Sequence, residues 1–311
     1  MRNHSLLGLL LLPVLGAVSI LSAMMVELSP RELAARADVI VTGNVTGVTS
    51  EWNDSHSMIF TDVAIAAEQF DKGAAPGRLT VRVPGGEVGD VGLAVEDEPS
   101  FTPGQRVALH LGRTNEHGVF NLIGGGHGAA LKGKPGGQKL YSYTGYHRDP
   151  GVCDYLINKS LPSDWFTALQ NGGDTWSNAG ADFLFHYDGQ TTSRGPTGDG
   201  LNVICDSNMG NNGVLAANYY WYIPRRKIVT ENDIVFNTYY SWSTDSTHKD
   251  DYQVQNIGTH EMGHCLLLND LYSGYQSEQT MYGYGAEGEV KKQTLGTGDV
   301  DGIKFIYGAG N

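Results

Sequence analysis

Residues 257–271 read Ile-Gly-Thr-His-Glu-Met-Gly-His-Cys-Leu-Leu-Leu-Asn-Asp-Leu. Within this stretch His260 and His264 are four residues apart, so on a helix both imidazoles lie on one face and reach one tetrahedral cation. Glu261 lies beside them and can act as a general base toward water that such a cation activates. Two histidines one turn apart also occur on ordinary helix surfaces, so the surrounding sequence must support the metal site.

In one group of zincins the third ligand lies six residues after the second histidine, and Asp270 stands at that position here. A straight helix at about 100° per residue would turn Asp270 roughly 120° away from His264, so the chain must leave the helix between them. Such a turn usually takes a glycine in the left-handed conformation. Leu267 stands there instead, at a cost of about 1–2 kcal/mol, unless Asn269 hosts the turn one step later.

Three ordered motifs resemble those of the matrixin-type metzincins. They are the run His260–Asp270, the tripeptide Thr280-Met-Tyr, and Asp-Val-Asp-Gly-Ile-Lys-Phe-Ile-Tyr-Gly at 299–308. In that family the zinc motif ends in His, or in Asp in some secreted bacterial relatives. The resemblance spans about residues 160–310. It implies an α+β fold with a zincin-like (metzincin) catalytic domain.

The resemblance also implies the roles of individual residues. It assigns one catalytic zinc ion to His260, His264 and Asp270, with Glu261 as the general base. It makes Met281 the structural methionine of a turn below the metal. The implied substrates are proteins or peptides.

The walls of a substrate groove follow from the same resemblance. Gly213-Val-Leu-Ala-Ala resembles the edge strand against which a substrate binds as an added strand, so Leu215 and Ala216 are expected to bind substrate. On the opposite wall Gly283-Tyr284-Gly285 replaces the family's Pro-x-Tyr, and Tyr284 is expected to contact substrate. Ala217 replaces the histidine of relatives with a second, structural zinc, so none is expected here.

Alternatives to these assignments stay open in the sequence. Glu287 or Glu289 could be the third ligand, as in the other large zincin group. Tyr282 or Tyr284 could stabilise the oxyanion, although such tyrosines more often pack. Oxygen-bearing side chains in Gly-rich loops are of the type that Ca²⁺ binds, with a solvated turn as the equal alternative; they are Asp188, Asp199, Asp206 and Asn211.

Residues 1–26 predict export. A positive start is followed by an apolar, uncharged run that reads as a signal peptide or, if it is not cleaved, as an N-terminal membrane anchor. The expected localisation is therefore secreted or extracellular. In an oxidising compartment Cys153 and Cys205 can pair, whereas Cys265 within the metal motif reads as a buried thiol. A Cys153 thiolate capping the zinc is a further alternative.

The chain divides into two parts near residue 145. Short β-branched runs separated by Gly, Pro and Asn predict a small all-β domain of unknown role at 31–132. Residues 133–149 read as a linker, and residues 150–311 form the catalytic part. In that part we expect helices at 163–178, 252–267 and 299–307 and strands at 181–186, 201–205, 215–222 and 233–237.

Length and charge agree with this division. The chain has 311 residues, which suggests two domains of about 150 residues each. It carries 34 acidic against 21 basic side chains, a net charge of −13, and has no basic run. Binding to a nucleic-acid backbone, which needs clustered Lys and Arg, is therefore excluded.

Two functions are consistent with the sequence. The first is a secreted zinc endopeptidase. The second is a non-catalytic extracellular binding or surface protein on a zincin scaffold, a reading motivated by Leu267 and the altered flank of Met281. Glu261 favours the enzyme, because a non-catalytic scaffold has no need of this carboxylate.

Overall fold

The computed structural model describes residues 24–95, 98–124, 129–130 and 139–310. The described residues contain four α-helices: α1 (Pro30–Arg36), α2 (Ser163–Ser177), α3 (Val254–Cys265) and α4 (Thr297–Tyr307). The strands of the first half are β1 (Val39–Trp52), β2 (Ile59–Lys72), β3 (Arg78–Pro84), β4 (Gly86–Val88), β5 (Val91–Val95), β6 (Arg106–Arg113), β7 (Val119–Leu122) and β8 (Ala129–Ala130). The later strands are β9 (Val152–Asn158), β10 (Leu184–Thr191), β11 (Val203–Ser207), β12 (Ala216–Ile223), β13 (Ile228–Asn237), β14 (Trp242–Ser243) and β15 (Tyr252–Gln253).

Five strands of the first half close on themselves. Their order is β1-β2-β3-β7-β6, β6 pairs back onto β1, and β8 lies beside β6. Only the β3–β7 pair is parallel. Alternate residues of β1, beginning with Val39 and Val41, point to the buried side, as a strand with one covered face requires.

The second sheet contains strands from both halves of the chain. Its order is β10-β9-β11-β13-β12-β5-β4. β9, β10, β11 and β13 run parallel, whereas β12 and the β4–β5 hairpin are antiparallel to their neighbours. Gly92 permits this junction, because a Cβ there would lie 2.2 Å from the ring of Tyr222 on β12. The expected boundary near residue 145 therefore does not separate the sheets, and the division into domains stays a prediction.

The second half of the linker predicted at 133–149 packs against the C-terminal part of the chain. Tyr141 and Tyr143 contact the ring of Phe305 on α4, and the amide of Asn269 donates to the carbonyl of Ser142 at 3.0 Å. These aromatic contacts and the hydrogen bond fix a segment that glycines alone would leave free. Residues 131–138 lie outside the described residues.

Helices α2 and α3 pack together beside the second sheet. The glycines of α2 lower its helix propensity, but they allow α3 to approach closely. A Cβ on Gly172 would lie 3.1 Å from Thr259 Oγ1 on α3. Trp176 Nε1 donates to the carbonyl of Thr259 at 2.7 Å. The predicted helices are present within a few residues of their expected bounds. β9 and the β4–β5 hairpin were not predicted.

No helix among the described residues is long and apolar enough to cross a membrane. The predicted signal or anchor falls on residues 1–23, outside the described residues, and on residues 24–26, which are described below.

Candidate metal centre

Helix α3 holds the two histidines with their rings in contact. The Nε2 atoms of His260 and His264 are 3.1 Å apart. His260 Nδ1 lies 2.8 Å from the carbonyl of Thr280, and His264 Nδ1 lies 2.8 Å from the carbonyl of Leu268. Because a carbonyl can only accept, each Nδ1 carries a proton, so Nε2 is the atom left to bind a metal and the two Nε2 atoms face each other.

A sharp turn after α3 brings Asp270 to the histidines. Leu267 has φ +69°, and its amide donates to the carbonyl of His264 at 2.9 Å. The turn therefore falls at Leu267, and the alternative at Asn269 is wrong. Asp270 Oδ1 then lies 3.0 Å from His260 Nε2, and Oδ2 lies 3.5 Å from His264 Nε2.

These three side chains fit a tetrahedral cation. Each offers one ligand atom within 4.8 Å of the others, and all three residues are buried. Two ligands about 2.0–2.1 Å from a zinc ion in tetrahedral geometry are about 3.3 Å apart, close to the distances found here. Two imidazole lone pairs and a carboxylate that converge in a dry site repel one another unless a cation lies between them. His260, His264 and Asp270 would hold that cation.

The pKa values of the two histidines are shifted in opposite directions. Burial lowers the pKa of His264 to about 4. At His260 burial also favours the neutral ring, but the charge and hydrogen bond of Asp270 outweigh it and the pKa is raised. Two chemically identical rings thus differ because Asp270 lies nearer to His260.

Glu261 lies beside the cluster with its side chain fully buried. Burial, reinforced by the charge of Asp270, raises the pKa of Glu261 to about 8. Oε1 accepts a hydrogen bond from the amide of Met24 at 3.2 Å. Oε2 has no hydrogen-bond partner within the described part of the chain, so it is available to a water or substrate.

Met281 forms an apolar floor under the two histidines. A Cβ on Gly263, between the histidines on α3, would lie 2.2 Å from Met281 Sδ. Asp299, at the start of α4, fixes this turn by accepting hydrogen bonds from the amides of Thr280 at 2.6 Å and Met281 at 3.1 Å. Asp299 belongs to a motif recognised in the sequence, but its role of holding the Met281 turn was not predicted there. The signal for that role was its position just before the Gly-Ile of a predicted helix.

Residues 24–26 lie in an extended groove next to Glu261. On one side the carbonyl of Met24 accepts from the amide of Leu215 at 2.8 Å, and the amide of Val26 donates to the carbonyl of Gly213 at 2.8 Å. The segment is antiparallel to this edge. Leu215, one of the residues expected to bind substrate, thus forms this wall. Ala216 is buried in the core as the first residue of β12.

The opposite wall is formed by Gly283, Tyr284 and Gly285. The amide of Met25 donates to the carbonyl of Gly283 at 3.0 Å, and the amide of Gly285 donates to the carbonyl of Met25 at 2.9 Å. Met25 runs parallel to Tyr284 in this pairing. Both walls of the expected substrate groove are therefore bridged by the chain's own residues, which sequence reasoning did not foresee.

The alternative third ligands lie away from the histidines. Glu289 pairs with the buried ammonium group of Lys292 and accepts from Asn256 Nδ2 at 3.3 Å. Glu287 is exposed. Lys292 also donates to the carbonyl of Tyr284 at 2.8 Å, which fixes the groove wall. Asp270, and neither glutamate, joins the two histidines.

The tyrosine rings near the groove pack against one another. Tyr284 contacts Tyr272 and Tyr282 with centroid distances of 5.2 and 5.6 Å. Tyr282 also lies 5.8 Å from the ammonium group of Lys292. An oxyanion role for either candidate tyrosine stays a prediction.

The structure gives no support for the calcium site that the sequence left as an alternative to a solvated turn. Among the described residues, His260, His264 and Asp270 form the one group of His, Cys, Asp or Glu side chains close enough to hold a cation. Asp206, one of the four candidates, pairs with Arg194 at 3.0 Å. Ala217 is buried in the core, and no second zinc-binding cluster is present in the described ranges.

The three cysteines are free and buried, so the Cys153–Cys205 pairing that the sequence left open is not formed. Cys153 points inward from β9 toward Cys265. The hydrogen bond between these two thiols lowers the pKa of Cys153 to about 7. Cys153 is therefore engaged behind α3 and does not cap the metal group, whereas burial raises the pKa of Cys205 to about 12.

Comparison with known families agrees with this geometry. Residues 202–308 match the peptidase M10 family, matrixin. The matched range contains β12, α3, Asp270, the turn at Met281 and α4. No match was found among the curated proteins. Residues 202–308 of this chain are thus similar to the matrixin family of metallopeptidases.

Proposed function

We propose that the protein is a secreted zinc endopeptidase that uses Glu261 as its general base. The observation that carries the proposal is the position of Glu261. Its carboxylate lies beside the three converging ligand atoms and 3.2 Å from the amide nitrogen of an extended peptide segment. A peptidase needs this arrangement, with a base between the activated water and the nitrogen that leaves.

The chain's own residues supply binding, orientation and proton transfer. A zinc ion held by His260, His264 and Asp270 would polarise the peptide carbonyl and lower the pKa of water. Glu261 accepts the proton of the attacking water and delivers it to the leaving amide nitrogen. The protonated Nδ1 of each histidine, bound to a carbonyl, keeps the lone pair of Nε2 directed at the metal.

The groove supports an extended substrate. Gly213 and Leu215 offer main-chain groups along one wall, and Gly283 and Gly285 offer them along the other. A peptide bound by these groups lies as an added strand, with its side chains alternating between the floor of the groove and the solvent. Main-chain recognition suits protein or peptide substrates.

Glu261→Gln tests this function. The exchange keeps the shape of the side chain and removes its basicity. We expect the zinc-loaded variant to hydrolyse a mixed quenched-fluorescent peptide library at least about a hundredfold more slowly, with unchanged zinc content. The comparison is made in the wild-type sequence and in Met24→Asp, which places a charge in the apolar site of Met24 and so vacates the groove. Turnover that persists in Glu261→Gln would refute the proposed role of Glu261 in an enzyme. If the zinc-loaded chains hydrolyse nothing in either background, the enzyme proposal is also refuted, and the non-catalytic binding protein is favoured.

A further inference from the structure

We propose that the catalytic centre cleaves its own chain at the Ala23–Met24 peptide bond. The proposal rests on the proposed function and names a first substrate for it, the segment that enters the groove at Met24. Three observations carry it: the direction and register of residues 24–26, the burial of Met24, and the contact between Met24 and Glu261.

The segment is held from both sides in a fixed register. Four main-chain hydrogen bonds of 2.8–3.0 Å join residues 24–26 to the two groove walls. It runs antiparallel to the edge at Val214 and parallel to the wall at Tyr284. A one-residue slip would break these bonds and turn Met24 out of the groove, so the register is strongly specified.

The side chain of Met24 is buried in the floor of the groove. A Cβ on Gly285 would lie 3.1 Å from Met24 Sδ, 3.0 Å from Leu215 Cδ1 and 3.1 Å from Ile257 Cδ1. Met24 therefore lies against α3, beside the residues that carry the metal group. An unbranched, flexible side chain fits such a pocket, whereas a charged one would be stranded there.

The contact with Glu261 selects one bond. The amide nitrogen of Met24 is the leaving nitrogen of the Ala23–Met24 bond, and it is the one that donates to Glu261 Oε1. The nitrogens of Met25 and Val26 donate instead to the carbonyls of Gly283 and Gly213. Of the amides in this segment, only that of Met24 is placed to receive a proton from the general base.

The cleavage balances with water alone. The water oxygen bonds to the carbonyl carbon of Ala23, the C–N bond to Met24 breaks, and Glu261 passes the water proton to the nitrogen of Met24. The products are a segment ending in the carboxylate of Ala23 and a chain beginning with the amine of Met24. Residues 24–26 then occupy the groove as product.

The residues that follow the segment in the sequence hold it at the groove. Leu28 packs on the groove edge, since a Cβ on Gly213 would lie 3.0 Å from Leu28 Cδ1. Arg36, at the end of α1, donates to the carbonyl of Asn211 at 3.2 Å. A tethered and oriented substrate reacts with a high effective concentration, so cleavage within one chain is favoured over cleavage between chains.

The test uses the full chain made by cell-free translation without membranes or signal peptidase. After zinc is added, intact mass and N-terminal sequencing follow the chain at several concentrations. We expect a product that begins at Met24 and a rate constant independent of concentration. Glu261→Gln should remain uncut, Met24→Leu and the exposed control Glu27→Gln should be cut at the same bond, and Met24→Asp should not be cut there.

The remaining outcomes overturn either self-cleavage alone or the proposed function together with it. A wild-type chain that stays intact, or is cut elsewhere, overturns self-cleavage, and hydrolysis of the peptide library by wild type or Met24→Asp then leaves the proposed function standing. Cutting in Glu261→Gln, or a rate that rises with concentration, also overturns it. If neither the chain nor the library is cut by any zinc-loaded form, the proposed function fails and self-cleavage fails with it.

Discussion

Gly263 lies so close to Met281 that a Cβ atom on the glycine would come within 2.2 Å of the methionine sulfur. Gly263 is one residue before His264 on α3, and the same Cβ would lie 2.8 Å from the ring of Trp176 on α2. The helix that carries the metal group therefore rests directly on the Met281 turn. The spacing of the two histidines above it depends on this contact.

Gly263→Ala should displace α3 from that floor. Overpacking of this kind typically costs about 1–3 kcal/mol, and here it should also weaken zinc binding because the histidines move with the helix. Thermal unfolding and zinc titration measure the two effects. Gly274→Ala is the matched control, since a Cβ there meets nothing within 4 Å; equal behaviour of the two variants would contradict the contact.

Leu267→Gly should destabilise the protein although Leu267 has a positive φ. Glycine relieves about 1–2 kcal/mol of backbone strain, but the fully buried leucine side chain packs against Tyr220 and Tyr222, and its loss costs about 2–5 kcal/mol. We expect a net loss of about 1–3 kcal/mol in the free energy of unfolding.

Lys227→Gly measures the relief of backbone strain separately from the loss of side-chain packing. Lys227 has φ +54° and is exposed, so its replacement relieves strain without a loss of packing. It should leave the free energy of unfolding unchanged or raised. A Leu267→Gly protein more stable than wild type would show that strain, and not packing, dominates at this turn.

Asp299→Ala should loosen the Met281 turn. It removes the acceptor for the amides of Thr280, Met281 and Gly296, and buried donors without partners cost about 1–3 kcal/mol each. Two of these three donors, the amides of Thr280 and Met281, are fully buried, so we expect a loss of about 2–6 kcal/mol in chemical denaturation and weaker zinc binding. Asp301→Ala, exposed on the same helix, should change neither; an intact turn in the Asp299 variant would refute this role.

Residues 24–26 in the groove should block the hydrolysis of other peptides. Met25 and Val214 face each other as a non-hydrogen-bonded antiparallel pair, a position in which Cα atoms are about 4.5 Å apart and a disulfide fits. With cysteines at both positions, oxidation should lower hydrolysis of a peptide library at least about tenfold compared with the reduced form, and reductant should restore it.

The three native cysteines are buried and do not confuse this measurement. A variant with cysteine at Met25 alone controls for oxidation elsewhere. If oxidised and reduced forms of the double variant hydrolyse the library equally, substrates do not use the groove held by residues 24–26.

The metal group could be anticipated because its determinants are local. The i, i+4 spacing of His260 and His264 and the break before Asp270 follow from helix geometry within eleven residues. The turn at Leu267 is also locally determined. The spacing of His264 and Asp270 predicted a left-handed turn between them, although leucine is an unusual residue for it. The helix bounds of α2 were likewise readable from one apolar face.

The groove could not be anticipated because its occupant is distant in sequence. Met24 contacts Glu261 across 237 residues, and the β4–β5 hairpin joins β12 across about 125 residues. Such pairings leave no local periodicity. β9 was missed for another reason, since its short alternation lies between turn residues that read as a boundary.

One measurement addresses the central claim most directly: hydrolysis of a peptide library by Met24→Asp and by Met24→Asp/Glu261→Gln at matched zinc content. Met24→Asp vacates the groove, so any catalytic competence becomes visible. The account predicts turnover in the single variant and a loss of at least about a hundredfold in the double variant, with zinc retained in both. Equal turnover in the two proteins, or none in the zinc-loaded single variant, would contradict it.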